Sequence, residues 1–542
     1  MRLMIAAALL AATATPLPAR QAEPAFSSER VRADVEFLAD DLLEGRDAGT
    51  RGYDIAALYV ASRFAALGLT PAGTKSWYQP ITFARATLQD DAINALTIGG
   101  KTFPVGEDVA MGGSAHQLHQ LAAGRAVFVG YGLDSPEHGF DDYSGLDVRG
   151  KVVVMLSGMP DRGTSSEIAA HLSSQKARMA ERRGAIAAIT IPTRAALART
   201  PWAAIRKNVA APRFTWIAPD GRAWAPGVKI AAQVNGAAAE ALFAGSRMTL
   251  KQVLDQAASK GAMPRGFALR APVRLERHST VERMQSSNVV GLIPGSDPAL
   301  SREVVLITAH LDHEGVDPER EGDKIYNGAM DNAAGIATML EVARAFAATG
   351  QRPKRSVMFA AVTAEEDGLL GSQYLAKHPL APKGGKVVGV INLDMPVLTY
   401  DFSDVIAFGA QHSTLGPIAE QALASAGVKV SPDPMPEQGI FTRSDHYSFV
   451  VEGVPSIMLA TGFAGEGRTK FTNFLAKTYH RPNDDLSQDF NWAAGAKFAQ
   501  VNYLIARAVA DGTEAPRWYA GNFFGETFAR SAPKAARPKG RP

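Results

Sequence analysis

The sequence predicts an α/β fold in which a mostly parallel sheet is covered by helices on both faces. Two observations lead to this prediction. From residue 285 onward, apolar segments of strand length alternate with longer amphipathic helical segments. The strand segments are apolar on both faces and are bounded by turn residues, which is typical of a parallel sheet buried between helices.

The second half of the chain contains four predicted strands with helices between them. The strands are EVVLITA (303–309), RSVMFAAVTA (355–364), VVGVINLD (387–394) and VPSIMLA (454–460). The intervening helices are NAAGIATMLEVARAFAATG (332–350), LLGSQYLAKH (369–378) and STLGPIAEQALASAG (413–427). The first helix ends at Gly350, a residue that favours a helix C-terminus.

The first half of the chain divides into a helical start and a separate module. From residue 28 to about 70 the pattern is helical, with a serine cap at the start and Gly68 at the end. Residues 120–275 carry short strands and a polar helix, and we interpret them as an inserted module. The histidines outside the motifs, including His119, His171, His278 and His412, are expected at surface positions.

The predicted organisation has five segments. They are a signal peptide (1–22), the N-terminal part of the main domain (23–119), the insertion (120–275), the main part with the candidate site (276–528) and a basic, disordered tail (529–542). The first segment, MRLMIAAALLAATATPLPARQA, has one early arginine, an apolar run and then small residues. We therefore expect an exported protein, either periplasmic or secreted.

The composition limits the partners. The net charge is +3, and no basic stripe with interleaved aromatic residues is present, so the sequence does not indicate nucleic-acid binding. No segment after the leader is apolar for long enough to predict stable membrane insertion. The chain has no cysteine, which excludes a disulfide framework.

Residues with metal-binding side chains follow the predicted strands. In parallel sheets, ligands bind beyond the carboxyl ends of the strands. The candidates at or near these ends are His310, Asp312, Asp331, the adjacent pair Glu365 and Glu366, Asp394, Tyr479 and His480. Imidazole and carboxylate groups in this combination favour zinc.

The charge balance favours two zinc ions. Three carboxylates and a bridging hydroxide neutralise two divalent cations, so the cluster can be buried. Neighbouring side chains at a strand end point in different directions. One of the two adjacent glutamates can therefore bind metal while the other acts as a general base on water.

Six motifs make the chain resemble a known family. TAHLDH, YNGAMDNAAG, TAEEDGLLGS, INLDM, RSDHYSF and YHRPNDD are similar, in this order, to motifs of the co-catalytic di-zinc exopeptidases related to bacterial aminopeptidases and glutamate carboxypeptidase. The resemblance covers residues 28–115 and 276–528 and implies the zinc exopeptidase fold. The region between resembles the protease-associated domain that many of these enzymes carry.

The resemblance implies a role for each residue of the site. His310 and Asp394 would hold one zinc ion, Glu366 and His480 would hold the other, and Asp331 would bridge the two. Glu365 would be the general base, Asp312 would orient the imidazole of His310, and Tyr479 would hydrogen-bond the developing oxyanion.

The family also implies a cis peptide between Asp331 and Asn332. One departure is visible, because many relatives carry an acidic residue at the position of Met330. That position is not a ligand, so we expect catalysis to survive. His313, Asp445 and His446 are expected to have structural roles.

The function implied is that of a zinc aminopeptidase acting on peptides. A carboxypeptidase or dipeptidase of the same fold remains open, and so do two more distant alternatives, a single-zinc glutaminyl cyclase and a non-catalytic receptor. Arg443 has two open roles: it can bind a carboxylate or carbonyl of the substrate, or pair with a nearby acid. The sequence predicts neither the side-chain preference nor the oligomeric state.

Overall fold

The fold is described from a computed structural model that covers residues 24–224 and 226–538. The predicted signal peptide (1–22) and the last four residues of the predicted tail lie outside these residues. No helix in the two ranges is long and apolar enough to cross a membrane.

The strands, in chain order, are β1 Thr70–Pro71, β2 Tyr78–Leu88, β3 Ala95–Ile98, β4 Lys101–Pro104, β5 Val109–Ala110, β6 His119–Phe128, β7 Asp134–Ser135, β8 Phe140–Asp141, β9 Val152–Leu156, β10 Ala187–Ile191, β11 Arg213–Trp216, β12 Ile230–Val234, β13 Phe267–Ile293, β14 Glu303–His310, β15 Gly315–Val316, β16 Ile325–Tyr326, β17 Ser356–Val362, β18 Lys386–Leu393, β19 Asp404–Phe408, β20 Lys429–Ser431 and β21 Ser456–Thr461.

The α-helices are α1 Ser28–Leu38, α2 Arg51–Ala66, α3 Ser166–Ser174, α4 Lys176–Arg182, α5 Arg194–Arg199, α6 Trp202–Ala210, α7 Gly236–Phe243, α8 Leu250–Ala257, α9 Ala334–Ala348, α10 Leu370–Lys377, α11 Leu415–Ala424, α12 His446–Val450, α13 Gly467–Lys477, α14 Trp492–Asp511 and α15 Phe523–Phe528.

The main lobe is built on a sheet whose centre is parallel, as predicted. Strands β17, β14, β18 and β21 pair in parallel in that order, and β13 and β19 add antiparallel neighbours on either side. Successive residues of β14 alternate between two cores: Val305 packs towards α1, α9 and α14, whereas Val304 packs towards α10 and α12. Helices therefore cover both faces of the sheet, which confirms the predicted fold class.

A second lobe has its own sheet and its own hydrophobic core. Strands β9 and β10 lie side by side in parallel, flanked by β6 and β12. This core begins at Leu96, so the predicted boundary at residue 120 is wrong. The reason is that β3 pairs with β13 in the second sheet, which joins residues 95–110 to the inserted module.

One long strand connects the two lobes. Residues 267–278 of β13 pair with β6 in the second sheet, and residues 279–289 pair with β2 in the first. The sequence analysis did not predict this strand. Its alternating pattern of buried and exposed residues differs from the continuous apolar runs on which the other strands were recognised.

Two histidines expected at the surface are buried instead. His171 on α3 is 6% exposed, and His412 is 8% exposed. Tyr447 on α12 donates its hydroxyl to Nδ1 of His171 at 2.6 Å, and His412 lies 3.0 Å from a carboxylate oxygen of Glu167. These contacts join the second lobe to the main lobe, and they could not be read from the polar pattern of α3 alone.

Candidate metal centre

Three adjacent parallel strands deliver the candidate ligands to one edge of the sheet. His310 is the last residue of β14, and Asp394 directly follows β18. The pair Glu365 and Glu366 comes three residues after the end of β17. Because the strands are parallel neighbours, their carboxyl ends meet, as the sequence analysis predicted.

Asp331 lies between two groups of ligands. Its Oδ1 is 3.1 Å from Nε2 of His310, and its Oδ2 is 3.2 Å from Nε2 of His480. Each imidazole nitrogen also faces a second carboxylate: Nε2 of His310 is 3.1 Å from Oδ1 of Asp394, and Nε2 of His480 is 3.1 Å from Oε2 of Glu366. The structure thus brings together all five predicted ligands in two sets that share Asp331.

The donor set fits zinc. Nε2 of His480 is buried and makes no hydrogen bond, although carboxylate oxygens of Asp331 and Glu366 lie within 3.2 Å. A buried polar atom without a partner is costly, and a cation between these three groups would remove that cost. Imidazole and carboxylate are ordinary zinc ligands, so these residues can hold the metal.

The orientation of His310 depends on the main chain. Its Nδ1 donates to the carbonyl oxygen of Asp312 at 3.1 Å. The sequence analysis assigned this role to the Asp312 carboxylate, which instead accepts the main-chain N–H of Glu366 at 3.2 Å. The chain turns after β14, so the carbonyl two residues later faces the ring. Asp312 therefore positions two residues of the site through two different groups.

A chain of three hydrogen bonds fixes the carboxylate of Asp394. Thr308 donates to the side-chain oxygen of Asn392 at 2.7 Å, and the amide of Asn392 donates to Ser444 at 2.7 Å. Ser444 in turn donates to Oδ2 of Asp394. All three supporting residues are buried. Ser444 belongs to the RSDHYSF motif, but its role was not recognised from the sequence.

Asp484 holds the segment that carries Asp331. Its carboxylate accepts the main-chain N–H groups of Met330 and Asp331, each at 3.0 Å. The peptide between Asp331 and Asn332 is cis, as the resemblance implied. Asp484 stands in the YHRPNDD motif, although only Tyr479 and His480 of that motif were predicted to act.

The last residue of the TAHLDH motif and the residue after it contact the second group of candidate ligands. His313 was expected to be structural, and its Nδ1 lies 2.7 Å from Oε1 of Glu366. Oε1 of Glu314 lies 3.0 Å from Nδ1 of His480. Asp445 and His446, in contrast, are buried on α12 and its N-cap and join neither group of ligands. The run His310–Glu314 therefore serves both halves of the site.

A buried arginine lies behind the acidic cluster. Arg46 is 1% exposed and donates to main-chain carbonyls, including those of Leu311 at 2.9 Å and Gly328 at 3.1 Å. Burial lowers its pKa to about 10, although Asp312 and Asp484 favour the charged form. At neutral pH its positive charge therefore offsets part of the negative charge of the site. The sequence analysis missed Arg46, which lies more than 260 residues before its partner Leu311.

A cavity of about 240 Å³ opens beside the candidate ligands. Asp331, Glu365 and Asp394 contribute to its polar part. The apolar part is lined by Met395, Ile440, Met458, Phe471, Leu475 and the ring of Tyr479. Burial raises the pKa of Glu365 well above its ordinary value, and the charge of Glu366 adds to this shift while His310 opposes it. Arg443 also lines the cavity, and its side chain is exposed.

Three non-glycine residues around the cavity have left-handed backbone conformations. They are Ala364 (φ 53°), Met395 (φ 46°) and His480 (φ 53°). Ala364 directly precedes Glu365, Met395 directly follows Asp394, and His480 is itself a candidate ligand. Such conformations cost about 1–3 kcal/mol and persist where the surrounding structure enforces them. Their position here agrees with a functional site.

Part of the chain matches a known protein family. Residues 288–506 match the model of peptidase family M28.

Curated relatives are similar over parts of their length. The probable leucine aminopeptidase 2 of Aspergillus oryzae is 31% identical over 193 residues, which is 34% of this chain and 36% of the relative. Aminopeptidase Y of Saccharomyces cerevisiae is 27% identical over 241 residues, 43% of this chain and 40% of the relative. The chain thus matches less than half the length of these relatives. Among solved structures, an aminopeptidase from Aneurinibacillus is 20% identical with a TM-score of 0.49, covering 89% of this chain and 93% of that one.

Proposed function

We propose that the protein is an aminopeptidase that binds two zinc ions and removes apolar residues from the N-terminus of peptides. The observation that carries the proposal is the sharing of Asp331 between two groups of ligands at the floor of an apolar cavity. His310 and Asp394 would hold one ion, and Glu366 and His480 the other. Zinc would supply Lewis-acid activation of the scissile carbonyl and of water.

Glu365 is the proposed general base. It lines the cavity beside Asp331 and Asp394, and burial raises its pKa above the ordinary value of a glutamate. A carboxylate at this place can accept a proton from the attacking water and then deliver it to the leaving amine. Glu366, the adjacent residue, is turned towards His313 and His480, so the two glutamates have different partners.

Tyr479 is the proposed hydrogen-bond donor to the oxyanion. Burial raises the pKa of its phenol above the ordinary value, so the hydroxyl keeps its proton at neutral pH. The ring lines the cavity and lies against the imidazole of His480, with 3.8 Å between the ring centroids. A protonated phenol at this place can stabilise negative charge that develops on the carbonyl oxygen.

The direction of cleavage is proposed from the lining of the cavity and from the relatives. The apolar lining, next to Asp331, Glu365 and Asp394, would hold the side chain of the N-terminal residue. Relatives of the matched segment carry the name aminopeptidase, which supports the same direction.

One observation favours a carboxypeptidase as the second candidate. Arg443 lines the cavity, is exposed and forms no ion pair within the described ranges, so it is available to a substrate carboxylate or carbonyl. A pocket specialised for a terminal carboxylate would need this cation near the scissile bond. We prefer the aminopeptidase because the rest of the lining is mostly apolar and the relatives of the matched segment carry that name.

The test uses one leucine-initiated peptide in two forms, with a free and with an acetylated N-terminus. The zinc-loaded protein should release leucine from the free form and leave the acetylated form intact. Removal of C-terminal residues from both forms would establish the carboxypeptidase instead. Cleavage of neither form would refute both, and a count of zinc ions per chain would then separate a single-zinc cyclase from a metal-free receptor.

The proposal also includes the location of the protein and the role of the second lobe. Residues 1–22 support export to the periplasm or the medium, which N-terminal sequencing of the mature protein would test through loss of that segment.

The second lobe, with its separate core, is proposed to be a protease-associated domain that shapes access to the cavity. Helix α3 of this lobe contacts residues 436–442, which include the cavity residues Gln438 and Ile440.

A further inference from the structure

Three side chains with metal-binding chemistry converge on the surface of the second lobe, and none of them belongs to the proposed peptidase site. His119 on β6 and His278 on β13 are direct partners across two antiparallel strands. Glu276 lies two residues before His278, so its side chain projects from the same face of the sheet. The group therefore combines two imidazoles and one carboxylate on a rigid antiparallel pair.

The distances approach those between ligands of a single ion. Nε2 of His119 is 3.1 Å from Oε1 of Glu276, and Nε2 of His278 is 3.8 Å from the same oxygen. Ligands placed about 2.0–2.1 Å from a tetrahedral zinc ion are separated by about 3.3–3.4 Å. One potential ligand atom from each residue lies within 4.8 Å of the others, so a small adjustment of exposed rotamers suffices.

A simple ion pair does not account for this arrangement. Arg274 donates to Oε2 of Glu276 at 2.8 Å, which already satisfies the charge of that carboxylate. Both imidazoles nevertheless converge on the other oxygen, Oε1, with their rings stacked at 4.2 Å and 12°. Two stacked imidazoles cannot both be protonated without repulsion, whereas both can be neutral ligands of one cation.

We propose that His119, Glu276 and His278 form a binding site for a divalent transition ion of the zinc type. Three protein ligands leave one coordination position to solvent, because the side chain of His119 is half exposed. Two imidazole ligands select zinc, nickel or copper over magnesium and calcium, which prefer oxygen. The hydrogen bond that Arg274 donates to Oε2 fixes the orientation of the Glu276 carboxylate.

The position of the site gives it a structural consequence. His278 is the last residue of β13 that pairs with the second sheet, and Ser279 is the first that pairs with β2 of the main sheet. The carbonyl of His278 accepts from Gln89 at 3.0 Å, and Ser279 donates to the carbonyl of Leu118 at 2.7 Å. An ion here would tie β6 to β13 at the point where the chain passes between lobes, and would stabilise that junction by binding the folded state.

The test measures zinc binding by the full chain after its peptidase site has been saturated with zinc. Calorimetric titration of further Zn²⁺ should show one additional ion per chain. The double variant His119→Ala/His278→Ala should lose this event or bind at least about 100-fold more weakly. Mg²⁺ should give no binding in either protein.

Matched variants distinguish this site from other surface groups. His138→Ala removes a partly exposed histidine of the same lobe outside the cluster and should leave the additional ion in place. Arg274→Ala removes the hydrogen bond that orients the Glu276 carboxylate and should weaken binding, but by less than the loss of both imidazoles. An additional ion that survives in the double variant, or is lost equally in His138→Ala, would overturn the proposal.

A second readout does not depend on activity. Zinc in excess of the peptidase site should raise the unfolding temperature of the wild-type chain by more than that of Glu276→Gln, which keeps the size of the side chain but weakens it as a ligand. Equal shifts in the two proteins would also overturn the proposal.

Discussion

The carboxylate of Asp484 accepts the main-chain N–H of Asp331 at 3.0 Å and thereby fixes the residue that both groups of ligands share. The same carboxylate accepts the N–H of Met330 at 3.0 Å. Asp484 touches no predicted ligand side chain, yet it sets the position of the central one. It lies 153 residues after Asp331 in the chain, so only the folded protein reveals the contact.

Replacing Asp484 should therefore weaken zinc binding without removing a ligand. Asp484→Asn would leave a single acceptor oxygen for two N–H groups, and we expect zinc affinity to fall about 10–100-fold. Competition with a chelator measures the affinity. Asp485→Asn, at the adjacent position, serves as the control. The carboxylate of Asp485 accepts the main-chain N–H of Ser487 instead, so this variant should bind zinc normally. Unchanged affinity in Asp484→Asn would contradict the positioning role.

Asp331→Ala should abolish both activity and stoichiometric zinc binding. The substitution removes the carboxylate that faces His310 and His480 at 3.1 and 3.2 Å, so neither set of ligands stays complete. Metal analysis of the purified variant, alongside Asp323→Ala at an exposed position, provides the measurement. An active variant that still holds two zinc ions would exclude Asp331 as the bridge.

Glu365→Gln should reduce turnover by about 10²–10⁴-fold while both zinc ions stay bound. The amide preserves the shape of the side chain but cannot accept the proton of water. Substrate binding should change little, so the loss should appear in kcat rather than in KM. Near-normal turnover would remove Glu365 as the general base, and loss of zinc would indicate that it is a ligand instead.

Leu475→Asp should change the preferred N-terminal residue. Leu475 is a partly buried residue of the apolar cavity wall, and a carboxylate there would favour a basic side chain over leucine. We expect the ratio of kcat/KM for arginyl over leucyl substrates to rise about tenfold or more, which corresponds to roughly 1.4 kcal/mol. Leu475→Asn controls for the lost apolar contact and should lower leucyl hydrolysis without favouring arginine. An unchanged ratio would place the substrate side chain elsewhere.

Stability should decrease on acidification because of His171. Burial lowers the pKa of His171 to about 4, and the positive charge of Arg178 adds to the shift, against 6.5 for the free side chain. Between these values the unfolded state binds a proton that the folded state does not, so stability rises with pH across this window and is lost as pH falls. The full effect is about 3–4 kcal/mol.

Urea unfolding of the wild-type chain and of His171→Gln at pH 4.5 and 7.5 would measure this effect. The glutamine oxygen can still accept from Tyr447 but does not titrate, so the variant should lose part of the pH dependence. Because other groups also titrate in this range, the difference between the two proteins is the relevant quantity. Parallel pH profiles would show that His171 is protonated in the folded state as readily as in the unfolded one.

The extent to which the site could be predicted differs between its ligands and their supports. His310, Glu366 and Asp394 follow strands whose apolar runs are visible locally, and the parallel topology then requires them to meet. The supports have no such local signal. Arg46 sits in a short turn that looks like any polar linker, and it reaches the carbonyl of Leu311 only after the chain has folded.

The sequence by itself determined the fold class and indicated the set of candidate ligand residues, because these depend on periodicity and on short motifs. Tertiary structure alone decided that β13 belongs to two sheets, that His171 is buried between lobes, and that the main-chain carbonyl of Asp312 orients His310. The physical reason is the same in each case. These contacts join groups through packing and chain direction, and a local pattern of polar and apolar residues encodes neither.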